Sequence, residues 1–414
     1  MIISSFFHNH KQILQNFSYV TILQLFTLLA PLITYPYLVR VLGQNLYGIV
    51  LTAQMLASYV SMVIDFGSNE VCAKHVSIYR DNKSKLSEIL SAVLCTRFIL
   101  WVASFFVYSV VVILVPSYRE YALLFFISYF LSIQEFLFPQ FFFQGIEQMK
   151  FTTYITIIIR LFFICLVFFI VKDESDVLMV PILYSVGYFL GGLASLFIIR
   201  NKMDVHFQRP TFEQMKFYVK DSSAIFATNM ICTIKDKFNY LLVGLFSGMS
   251  NVVVYDLGLK INGFIEKPAG IVRVVLFPRM AKSRNVETLK KTIYITVIFV
   301  SLMVLIVNIF LPWIVEFFIK DKDIDLLPLR IFTIAPILLS ASVLIASNYL
   351  VAFGHNKYVL YSIIVTTSVY LLSLAYLFFT HKMNGLYSFI SLSLISYATE
   401  LIYRLFVLKK LTRK

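Results

Sequence analysis

Apolar runs of twenty or more residues alternate with short polar stretches along almost the whole chain, and this pattern sets its first reading. A hydrocarbon core of about 30 Å needs about 20 residues of α-helix to cross it. Windows of that length find about twelve runs, near residues 17–39, 46–72, 88–115, 121–144, 151–171, 177–199, 222–246, 251–278, 291–318, 326–352, 358–380 and 384–408. Strands of a membrane barrel would be about 10 residues long and alternate in polarity. These runs are continuously apolar, so they are predicted to be transmembrane helices. The first run, Phe17 to Val39, exceeds the apolar region of a secretory signal and has no small-x-small cleavage site behind it. The expectation is an all-α polytopic membrane protein of about twelve spans.

Composition agrees. The 414 residues are 59% hydrophobic and 14% charged, with a mean hydropathy of +0.82; a soluble domain is about 25% charged. This excludes a cytosolic enzyme, a secreted disulfide scaffold and a disordered chain. The net charge of +14 would suit a nucleic-acid partner, so the position of the charges decides. With the N-terminus in the cytoplasm, 22 Lys and Arg fall in inner segments and 6 in outer ones. That excess predicts both termini inside. Most of the positive charge is then a topology signal, and no nucleic-acid partner is expected.

The longest internal polar segment, 201–221, splits the chain into spans 1–200 and 222–414, six on each side. Gly43, Tyr47, Gly145, Lys150 and Tyr154 recur as Gly248, Tyr255, Gly354, Lys357 and Tyr361, at offsets of 205 to 209 residues. A near-constant offset between halves of equal span number predicts a parallel repeat of two six-helix lobes. Two lobes with a site between them suit a transporter.

Eight basic residues lie inside the apolar runs: Arg97, Arg160, Lys235, Lys237, Lys260, Lys267, Arg273 and Arg330. Each would cost about 2.5–3.5 kcal/mol at the bilayer centre if left facing lipid. Arg97, Arg273 and Arg330 lie close enough to span ends to snorkel. The other five lie near mid-span. Asn229, Thr233 and Lys237 share one helix face, as do Asp256, Lys260, Gly263 and Lys267. Spans 7 and 8 are thus predicted to be helices with one wet side. Two readings stand: structural pairs such as Asp256 with Lys260, or a basic, water-filled vestibule for an anion. Mid-span acids are Glu135, Asp236, Asp256 and Glu266. Cys72, Cys95, Cys165 and Cys232 show no C-x-x-C spacing and the six histidines no zinc spacing. No catalytic group, metal site or cofactor is expected.

Three segments carry a family likeness. They are Pro36-Tyr37-Leu38-Val39-Arg40-Val41-Leu42-Gly43 with Tyr47-Gly48 and the later Asp65-Phe66-Gly67; Phe143-Gln144-Gly145-Ile146-Glu147-Gln148-Met149; and Val254-Tyr255-Asp256-Leu257-Gly258-Leu259-Lys260-Ile261. Together they resemble the bacterial O-antigen flippases, the polysaccharide branch of the superfamily that also holds multidrug exporters. The resemblance implies two six-helix bundles around a V-shaped cavity in the bacterial inner membrane. It implies transfer of an undecaprenyl-pyrophosphate-linked oligosaccharide to the outer leaflet, with a polysaccharide polymerase and chain-length proteins as candidate partners. Lys237, Lys260, Lys267 and Arg160, with Lys235 and Asn229, are the expected pyrophosphate contacts. Glu135, Asp236 and Glu266 are the candidates for ion coupling. A drug or cation antiporter of the same fold would need an acidic cavity, which the mid-span charges oppose. A membrane glycan polymerase or ligase would need a larger outer loop than any here.

Overall fold

The computed structural model describes residues 2–321, 324–383 and 385–412, and among them every side chain but those of 2–14, 17, 234–236 and 278. All regular elements among the described residues are helical. The main ones, in order, are α1 (Ile2–Asp65), α2 (Ser68–Ile78), α3 (Lys83–Leu114), α4 (Ala122–Gly145, in pieces), α5 (Met149–Ile170), α6 (Met179–Met203), α7 (Phe212–Ser247), α8 (Met249–Ser283), α9 (Val286–Ile319), α10 (Leu327–Val351, in pieces), α11 (Asn356–Phe379) and α12 (Leu386–Thr412). Polar caps start two of them: Asn82 accepts from the Lys85 amide and Asn285 from the Thr288 amide.

Nine stretches among the described residues are long and apolar enough to cross a membrane. The first, Ser18–Ile78, has 61 residues, enough for two crossings. Helices α7 and α8 fall outside the nine because of their charges. With them, and with the first stretch counted twice, the fold is consistent with the twelve expected spans.

Two glycines make the sharp turns between adjoining long helices. Gly43 has φ 73° and ψ 162°, and Gly248 has φ 91° and ψ 156°. This region is open essentially to glycine alone. The two positions matched by the sequence repeat thus share one unusual backbone conformation. Their neighbours match as well. Tyr35 and Tyr47 meet edge-on at 5.1 Å, and Tyr240 and Tyr255 at 6.0 Å. A Cβ on Gly43 would lie 3.8 Å from Glu174, and one on Gly248 would meet nothing within 4 Å. The cost of either alanine is therefore backbone strain. Gly43→Ala and Gly248→Ala are each expected to lower stability by about 1–3 kcal/mol. The helical control Gly270→Ala, where a Cβ also meets open space, is expected to leave the unfolding midpoint in detergent unchanged or raised.

Chain contacts divide the molecule into two compact units, Met1–Met230 and Ile231–Lys414, with the division inside α7. The first has a core in which Phe141, Phe142 and Phe143 pack on Cys72, Val76 and Val93. Here the Phe143–Met149 turn works as a joint. A Cβ on Gly145 would sit 2.6 Å from the Ala73 carbonyl oxygen of α2. Asn16 of α1 donates to the Glu147 carbonyl at 2.7 Å and accepts from the Met149 amide at 3.1 Å. The second unit packs Met280, Leu289, Ile345, Leu350 and Val407 together. Large apolar side chains such as Phe169, Phe197, Leu372 and Phe379 stand exposed, as a lipid-facing surface requires.

Candidate functional site

Helices α7 and α8 are the polar pair among the long helices, and they carry most of the charges singled out from sequence. Lys237 on α7 and Lys267 and Arg273 on α8 are exposed, while Lys260 and Glu266 are half-buried. Lys260 forms an ion pair with Asp256 one turn earlier. Tyr240 donates to the other oxygen of that carboxylate at 3.1 Å. The structural reading of the Asp256–Lys260 spacing is therefore realised in the fold. Asn229 on α7 is half-buried. The side chains of Lys235 and Asp236 lie outside those described.

In the first unit, Arg160 on α5 is half-buried and its Nε has no hydrogen-bond partner among the described residues. Arg97, expected to snorkel from a span end, is instead 1% exposed. A pocket of partners holds it. Its guanidinium donates to Asp65 Oδ1 at 2.8 Å, to Ser68 Oγ at 2.7 Å, to Asn69 Oδ1 at 3.0 Å and to the Glu135 carbonyl at 2.8 Å. Asn69 in turn donates to the Glu135 carboxylate at 2.7 Å. Glu135 thus belongs to a closed network that ties α1, α2, α3 and α4 around one cation.

A cavity of about 620 Å³ lies in the second unit. Asn262, Glu266 and Arg273 line it from α8, Ser347 from α10, and Tyr397, Glu400 and Arg404 from α12. Arg404 and Glu400 are each 5% exposed and pair at 2.5 Å. Arg404 also donates to Ser342 Oγ at 2.8 Å and to Ser362 Oγ at 3.2 Å. The Arg404 side chain turns inward to a carboxylate one helical turn earlier. Glu400 and Arg404 were missed as a site, although their i, i+4 spacing was readable.

Among the described side chains Glu266 is thus the one expected site residue that lines this cavity, and Arg160 stands in the other compact unit. Among the described residues no group of three His, Cys, Asp or Glu could hold a metal ion.

The sequence profile of the family described as "Polysaccharide biosynthesis protein" matches residues 13–284. A protein of Escherichia coli (strain K12), provisionally named an O-antigen transporter, is 24% identical over 69% of this chain and 69% of its own length. A like-named protein of Shigella dysenteriae is 22% identical over 63% of this chain and 65% of its own. Among solved structures, an inward-facing multidrug resistance MATE family transporter of the MOP superfamily superposes with a TM-score of 0.72 at 14% identity, covering 93% of this chain and 95% of that one. The outward-facing conformation of a transporter so described gives a TM-score of 0.58 at 14% identity, over 95% and 93% of the two chains. At such identity these two likenesses speak for the fold alone.

Proposed function

The chain belongs to the polysaccharide biosynthesis protein family, and on that footing we propose that it is a flippase for lipid-linked polysaccharide units. The cargo is an O-antigen oligosaccharide on undecaprenyl pyrophosphate, and alternating access carries it from the inner to the outer leaflet of the bacterial inner membrane. Two lobes, 1–200 and 222–414, are joined by the cytoplasmic segment 201–221, with both termini on the cytoplasmic side. The names of the relatives support the class of cargo.

One observation carries the reading: Lys237, Lys267 and Arg273 stand exposed on the two polar helices of a chain otherwise built for lipid. A cation at membrane depth is tolerated only beside water or an anion. A pyrophosphate crossing the bilayer needs donors to replace its hydration, and charge-assisted hydrogen bonds are the strong ones. Arg160, with one guanidinium nitrogen unpartnered, fits the same role. Lys260, Lys235 and Asn229 complete the expected contacts. Ion-gradient coupling through Glu135, Asp236 or Glu266 would drive the cycle, and a polysaccharide polymerase and chain-length proteins would receive the product.

The test is complementation of a strain lacking this gene. The double substitution Lys237→Gln/Lys267→Gln removes two charged donors, each worth about 1.5–3 kcal/mol. Surface polysaccharide is expected to fall at least about tenfold at equal protein abundance. Normal polysaccharide from the double variant would overturn the pyrophosphate assignment.

A further inference from the structure

Helices α8, α9, α10 and α12 bring one end each to the same place in the second unit. Met280, Leu289, Leu350 and Val407 are buried together there, and Phe353 and Tyr358 of the α10–α11 turn pack on them. Around this small core, segments 279–294, 353–361 and 402–412 carry nine Lys and Arg and one carboxylate, Glu287. Arg404 turns inward to Glu400. The other eight are exposed, and none of them forms an ion pair among the described residues. Two rest beside rings instead: Arg284 lies 6.0 Å from the Phe353 centroid and Lys357 5.4 Å from that of Tyr358.

The matching turns of the first unit are built differently. Segments 74–88, 147–154 and 200–221 carry ten Lys and Arg, but also six Asp and Glu. Lys83 pairs with Asp204 at 2.7 Å and Lys85 with Glu88 at 2.6 Å. Membrane topology follows Lys and Arg and takes little account of acids. Ten and nine cations are the same topology signal, so topology does not explain why the second unit leaves its cations bare. Like charges repel one another, and gathering them calls for an anionic partner.

The exposed neighbours identify that partner. One turn further into the membrane from a cation, three helices each expose a ring. Tyr294 follows Lys290 on α9 at 69% exposure, Tyr361 follows Lys357 on α11 at 48%, and Phe406 precedes Lys410 on α12 at 64%. Residues four apart share a helix face. Rings of this kind gather at the headgroup level of a bilayer, and long basic side chains reach past them to the phosphates. An acidic protein would use the charges but not the rings beneath them.

We propose that this end of the second unit is a docking surface for anionic phospholipid headgroups of the surrounding bilayer. The phosphates sit among Lys290, Lys291, Lys357 and Lys410, and the rings one turn deeper pack against the upper acyl chains. These lipids stay in the leaflet and are not the cargo, so the inference does not depend on the flippase reading.

The test is native mass spectrometry of the full chain in neutral detergent, after incubation with equal amounts of phosphatidylglycerol and phosphatidylcholine. A Lys or Arg near an anionic surface contributes about fivefold to binding, so wild type is expected to retain at least about tenfold more phosphatidylglycerol. Lys290→Gln/Lys291→Gln and Lys357→Gln/Lys410→Gln are each expected to cut that preference at least about fivefold. Both pairs are exposed, so neither touches the core. Lys83→Gln/Lys85→Gln in the first unit is expected to leave the preference unchanged. Equal retention of the two lipids, or a preference that survives both second-unit pairs, would overturn the proposal. Displacement of phosphatidylglycerol by an equimolar polyglutamate peptide would overturn it too, in favour of an acidic protein partner.

Discussion

Replacing Arg97 with leucine is expected to destabilise the first unit by about 3–5 kcal/mol, the usual cost of removing one partner from a buried charge network. The size follows from what would be left behind. Asp65 accepts from Arg97 at 2.8 Å, and the Glu135 carbonyl and the Asn69 amide oxygen would lose their donor in the same step. The Phe141 ring, 5.3 Å from the guanidinium carbon, would lose a cation partner too. Lysine cannot rescue the site. Its three donors radiate from one atom, whereas the guanidinium fork reaches α1, α2 and α4 at once. Unfolding in mixed detergent micelles measures the loss. The result that counts against this account is a midpoint for Arg97→Leu within error of wild type. Arg97→Lys separates charge from geometry: it should recover only a small part of the stability.

Which features were legible in the sequence follows from the range of the forces behind them. The spans were readable because bilayer thickness imposes run length on the chain, residue by residue. The polar stripes of α7 and α8 were readable because they repeat within one helix, and so was the Asp256–Lys260 pair. Gly43 and Gly248 announced their turns, since a backbone region nearly closed to other residues leaves its mark in composition. Arg97 was misplaced for the opposite reason. Position along a span gives depth in the membrane, but not which way a side chain turns, and a partner such as Asp65 lies 32 residues away. The cavity was out of reach altogether. Its wall draws on α8, α10 and α12, and only packing brings Asn262 beside Glu400.

Arg404→Met is expected to cost the second unit about 3–5 kcal/mol by leaving the Glu400 carboxylate buried without its cation. Adding Glu400→Leu should return most of that loss, because an apolar pair of similar volume often matches or exceeds a buried ion pair in stability. The return should be incomplete, since Ser342 and Ser362 lose the donor they share. This cycle separates two reasons for having the pair. If it serves packing alone, the double variant should be stable and export polysaccharide normally. If it serves transport, the double variant should be stable yet deficient in export. A double variant as unstable as the single would count against the ion-pair account itself. Because packing alone gains little from a buried ion pair, a stable double variant deficient in export is the expected result.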